Sequence, residues 1–183
     1  YTAMGAVDIV PYAYLSVWTW DRNAPGCSRA ATLSKVIDDA TLGLTCPGNL
    51  RGFSSEGSGS WCPDGLGYWI LGKLLTEMTS ANDLASEVVM LRELFMREAY
   101  QDVASQMSDF HAMIDGENHL LLTTDLVNRM YSQLKIALNA TASALVRDRI
   151  RDFVMYTRYV DLLNRFQNSS ALNDYDAIMS WMF

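Results

Sequence analysis

Basic runs are missing from this sequence. Its 183 residues hold 14 lysines and arginines against 21 aspartates and glutamates, a formal net charge of −7. Binders of nucleic acid or anionic membrane concentrate cationic side chains, so both partner classes are disfavoured. No apolar run approaches the roughly 18 residues of a bilayer-spanning helix, and no signal-peptide pattern opens the chain. Cysteine is scarce and odd in number: Cys27, Cys46 and Cys62. Three cysteines cannot close a disulfide framework alone, and no CxxC pair suggests zinc. They read either as free thiols or as one Cys46–Cys62 bridge, which would require an oxidising compartment. The two histidines, His111 and His119, have no metal-ligand spacing. No GxxxxGK[ST] pattern supports nucleotide binding, although Gly57-Ser58-Gly59 is loosely similar. No Ser-His-Asp or Cys-His constellation is present. A complete (β/α)8 barrel needs about 250 residues, so this chain is not one. It starts at Tyr1 rather than Met, which predicts a segment of a longer protein.

Half of the residues are apolar and 19% are charged, the balance of a packed globular chain. The two halves differ. Residues 1–75 hold all four prolines, four of the five tryptophans and every glycine but Gly116. Residues 76–183 hold no proline and long helical periodicity. Val7 to Trp18 is β-branched and aromatic and predicts a strand, broken or bulged at Pro11. Ser28 is a plausible cap for a helix to about Thr41, stopped by Gly43. Leu50 to Ser54 predicts a second strand running into a polar, glycine-rich loop over 55–60. Asp64 then caps a helix from Gly65 to about Glu77.

The second half reads as helices. Asn82 caps one with Leu84, Val88, Leu91 and Phe95 on a stripe. Another carries Val103, Met107, Phe110 and Ile114, with Gly116 as its stop. Thr124 caps a third, with Leu126, Met130, Leu134 and Leu138 aligned. Ala144 to Phe166 is long and apolar through Ile150, Phe153, Val154, Val160 and Leu163. A last short helix spans Asp174 to Trp181. Glu87, Glu93 and Glu98 read as solvated faces. Asn139-Ala-Thr141 and Asn168-Ser-Ser170 match the glycosylation acceptor pattern, which bears on function only in a secretory host.

Three groups carry possible chemistry. Glu56 lies just past a predicted strand end, on a glycine-rich loop beside Trp61. That combination suits work on a sugar: glycines admit backbone to the ligand, an indole stacks on a pyranose, and an apolar wall favours a protonated acid. The plain alternative makes Glu56 an exposed loop acid and Trp61 core. Tyr12, Tyr14, Trp18 and Trp20 share one face of a regular strand, as a sugar platform or simply as core. Asp64 and Tyr68 open the next helix, as ligand contacts or as a structural cap.

The order of these pieces is similar to a known family. A Tyr-x-Tyr strand is followed by a helix, then by Gly52-Phe53-Ser54-Ser55-Glu56. Gly65-Leu66-Gly67-Tyr68-Trp69 opens a helix that closes with Lys73-Leu74-Leu75. Leu121 to Tyr131, then Val146-Arg147-Asp148-Arg149-Ile150 and Tyr156-Thr157-Arg158-Tyr159-Val160, carry the strongest likeness. The whole resembles the C-terminal half of large bacterial proteins with a glycoside-hydrolase-like barrel and an uncharacterised central domain, distantly similar to the α-glucuronidases. A Trp-Asp pair frequent there after the Leu-Leu is replaced here by Thr76-Glu77.

The resemblance implies an α+β, mostly α fold: the last βα units of a (β/α)8-type barrel over residues 1–75, then a helical extension over 76–183. It implies that Glu56 stands at the end of a late barrel strand, where barrel enzymes keep catalytic groups. Tyr12, Tyr14, Trp18, Trp61, Asp64 and Tyr68 would then line a carbohydrate site. No metal or cofactor is implied. The remaining barrel would lie upstream of Tyr1, in a secreted or periplasmic protein. Glycoside hydrolysis normally uses two carboxylates, and the second is not found here. The isolated chain is therefore expected to be inactive. The competing readings are a non-catalytic carbohydrate-binding module and a helical interaction or scaffold module.

Overall fold

Helices dominate because the apolar residues recur with a helical period along most of the chain. The structure, a computed structural model, describes residues 12–15, 33–45, 54–57, 61–77, 83–115 and 122–182. Among these residues the fold is mostly α, with two four-residue strands. Their contacts divide into two compact units, the first ending at Leu94 and the second beginning at Phe95.

In the first unit, β1 (Tyr12–Leu15) and β2 (Ser54–Gly57) pair in parallel. A parallel pair needs a crossover connection, and helix α1 (Leu33–Thr45) lies between the two strands in sequence. β1 falls inside the expected Val7–Trp18 strand, whose other residues lie outside the described ones. β2 meets the expected Leu50–Ser54 strand at Ser54, the rest of which lies outside the described residues, and runs on through Gly57. Serine and glycine have weak strand propensity, so the segment owes its conformation to the ladder with β1 rather than to its own residues. Glu56 is therefore a strand residue, not a loop residue.

Helix α1 runs through Gly43, which is buried, and ends at Thr45. Helix α2 (Trp61–Glu77) starts four residues before the expected Gly65. Pro63 is tolerated there because the N–H groups of a first helical turn have no intrahelical partner. Val36 and Ala40 of α1 and Ile70 and Leu74 of α2 are each 0% exposed, and the two helices pack together.

Gly72 sits on the exposed side of α2, and a Cβ placed there meets nothing within 4 Å. Gly72→Ala is expected to stabilise the protein by about 0.5–1 kcal/mol through lower unfolded-state entropy. A higher midpoint in urea denaturation checks this; a lower one would mean that the position is not open.

Helix α3 (Leu84–Tyr100) follows Asp83, whose carbonyl accepts from Glu87 N–H at 3.0 Å. Asp83 adopts φ 63°, in the left-handed region that aspartate enters more readily than most residues. The expected cap, Asn82, lies outside the described residues. Leu84, Val88 and Leu91 are buried as expected. Further on, Met96 and Tyr100 are buried while Phe95 is only half-buried.

The second unit is a run of antiparallel helices. After a 3-10 turn (Gln101–Val103) come α4 (Ala104–Ile114), α5 (Thr124–Ala140), α6 (Ala144–Ser169) and α7 (Leu172–Met182). Side-chain pairs set the directions. Gln133 of α5 donates to the Gln106 carbonyl at 3.0 Å, while Asp102, just before α4, meets Thr141, just after α5. Asn164 of α6 donates to Thr124 of α5 at 3.2 Å. Tyr159 and Phe166 of α6 make tilted ring contacts with Trp181 and Tyr175 of α7. Short connections such as Thr141–Ser143 enforce the same arrangement.

The expected stripe of α4 holds in full: Val103, Met107, Phe110 and Ile114 are each 0% exposed. That of α5 is corrected. Leu126, Met130 and Leu134 are buried, but Ala137, not Leu138, completes the face. At about 100° per residue, twelve residues from Leu126 place Leu138 about 120° off the line, and eleven bring Ala137 to within about 20°. Thr123, not Thr124, is the cap of α5, accepting from Leu126 N–H at 3.1 Å. Ser143 caps α6 in the same way through Val146 N–H at 3.3 Å.

Candidate functional site

The expected site residues divide by what the backbone does with them. Tyr12 and Tyr14 are strand positions of β1, and Glu56 is the penultimate residue of β2. The parallel register pairs Tyr12 with Ser54 and Tyr14 with Glu56. Neighbouring strands run about 4.8 Å apart, so the acid and the phenol belong to adjacent backbone positions. Alternation puts positions 12 and 14 on one face of the pair. Trp18 and Trp20 lie outside the described residues.

Trp61 is the first residue of α2, four positions after Gly57 in the sequence. Asp64 was expected as the cap; it stands instead within the first turn and is 2% exposed. A carboxylate there is favoured by the positive end of the helix dipole. Tyr68, one turn on, is half-buried. At i and i+4, Asp64 and Tyr68 share a side of the helix. The structure thus brings Tyr14 and Glu56 together in the sheet and Asp64 and Tyr68 together on α2.

Polar groups to which the sequence assigned no role lie in the second unit. His111 of α4 is 1% exposed, ringed by Phe95, Tyr100, Phe110 and Phe153 at centroid distances of 5.0 to 6.4 Å. Its Nε2 is 3.2 Å from the Tyr100 hydroxyl. On α6, Asp161 accepts from Arg158 Nη1 at 2.9 Å and from Arg165 Nε and Nη2 at 3.0 and 3.1 Å. Burial, with the charge of Asp161, raises the phenol of Tyr131 on α5 above the ordinary tyrosine range. Burial also raises Tyr159. The i, i+3 and i+7 spacing of Arg158, Asp161 and Arg165 was the available signal. Among the described residues, no histidine, cysteine, aspartate and glutamate group is arranged to hold a metal ion, and no helix is long and apolar enough to cross a membrane.

Asp102 ties the turn before α4 to the α5–α6 connection. Its carboxylate accepts from the Thr141 hydroxyl at 2.8 Å and from Ala142 N–H at 3.2 Å, and these bonds hold it below the usual carboxylate range. A group whose folded pKa is depressed stabilises the fold above its unfolded value, and that stability fades as pH falls through the folded value. Wild type is expected to be more stable than Asp102→Asn at pH 7, with the gap closing once pH drops below the ordinary carboxylate value of 3.8. Paired urea titrations across pH 2.5–7 check it; a gap independent of pH would assign the effect to shape rather than charge.

No family model matches this chain, and neither a curated protein nor a solved structure matches it.

Proposed function

We propose that this chain is the C-terminal part of a carbohydrate-active, glycoside-hydrolase-like protein in which Glu56 is the acid that works on, or binds, a glycan. Two features support the reading. The order β1-α1-β2-α2, with β1 and β2 parallel, is the repeat from which βα barrels are built. The observation that carries it is the register of Glu56 with Tyr14, next to the C-terminal end of β2. In a barrel, that strand end faces the active site. In that reading Tyr12 and Tyr14 would be the contribution of the neighbouring strand to the site, and Asp64 and Tyr68 that of the helix that follows β2. The remaining βα units, and the second carboxylate, would come from chain upstream of Tyr1.

The deciding experiment compares this longer protein with its Glu56→Gln variant on a glycan identified by screening. A large loss of kcat/KM with an unchanged melting temperature supports the proposal. Equal rates would remove Glu56 from it.

A further inference from the structure

The geometry of the α5–α6 surface points to a second site, independent of Glu56. We propose that Arg158, Arg165 and Tyr131 bind one small oxyanion, a carboxylate or a phosphoryl group. Asp161 is the organising residue. Its side chain is 12% exposed, and both guanidinium groups converge on it. One carboxylate against two arginines leaves one positive charge in excess.

Asp161 also fixes how the arginines present their remaining donors. A guanidinium carries five N–H donors in a rigid plane. Arg165 spends Nε and Nη2 on Asp161, and Arg158 spends Nη1. Tyr131 of α5 lies within electrostatic reach of Asp161, Arg158 and Arg165. A phenol raised above its ordinary range is protonated at neutral pH, so its O–H is a donor. Both arginine side chains remain solvent-accessible, at 43% and 55%. The result is two oriented forks and a hydroxyl beside a net positive charge, which matches the planar, multidentate needs of an oxyanion.

The other arginine pairs nearby differ. Arg151 with Asp148 and Arg129 with Asp125 are one-to-one, neutral and exposed on both sides. They serve as internal controls.

The test is an NMR titration of the arginine side-chain Nε–Hε resonances with sodium phosphate and, separately, sodium acetate, at constant ionic strength. Arg158 and Arg165 are expected to shift together and saturably, while Arg129 and Arg151 stay put. The tighter of the two anions identifies the ligand class. Arg165→Gln, an exposed position, is expected to weaken binding at least tenfold, a loss of about 1.4 kcal/mol in affinity. Parallel drift of all four arginines, no shift at all, or undiminished binding by Arg165→Gln would each overturn the site.

Discussion

Leu134→Ala is expected to destabilise the protein by about 2–5 kcal/mol, the usual range for truncating a fully buried leucine. Leu134 is 1% exposed on the face of α5 that also carries Leu126, Met130 and Ala137. α5 packs against α4 on one side and α6 on the other, so both neighbours would have to move to fill the void. The transfer loss and the residual cavity therefore add. Leu138→Ala removes the same atoms from a half-buried position and is expected to cost less than half as much. The pair is read from urea midpoints at equal m-values. Equal losses at 134 and 138 would show that the buried face of α5 runs along the i, i+4 line after all. No loss at either would show that the helix does not contribute to the cooperative core.

That pair also shows what could be seen in the sequence and what could not. The helices of the second half were legible because each presents an apolar stripe, and burial of Phe110, Ile150 and Phe153 follows from it. Leu138 was misassigned because a repeat of four drifts off a period of 3.6 within three steps. The cap of α5 was legible to within one residue: Thr123 does what Thr124 was expected to do. Adjacent polar residues offer the same chemistry, and only the backbone chooses between them. The run of β2 through Gly57 was missed for another reason. Ser54, Ser55, Glu56 and Gly57 carry no strand signal of their own, so their conformation depends on a partner 42 positions upstream. For the candidate site, residue types were visible, but the register of Tyr14 with Glu56 was not. The arginine pair on Asp161 was missed because its residues alternate with unrelated ones along α6 and converge only once the helix is wound.

Glu56→Gln, in the longer protein that this chain is proposed to complete, is expected to lower kcat/KM by about 10²–10⁴-fold on a cleaved glycan. The substitution keeps size and hydrogen-bonding shape but removes the proton that a general acid must deliver, or the charge that a nucleophile must carry. The strand assignment of Glu56 sharpens this expectation. A loop acid is held by its own entropy-rich segment, whereas a residue in β2 is held by ladder bonds to β1. Such positioning is what lets a side chain contribute to rate rather than only to binding. Tyr14→Phe separates the two contributions. If the phenol beside Glu56 orients a sugar hydroxyl, its loss raises KM more than it lowers kcat, while Glu56→Gln does the reverse. Both variants must melt with the wild type for the comparison to stand. A rate change under about threefold in Glu56→Gln, far short of the general-acid range, would make Glu56 a structural member of a short parallel ladder. The carbohydrate reading would then lose the residue on which it rests.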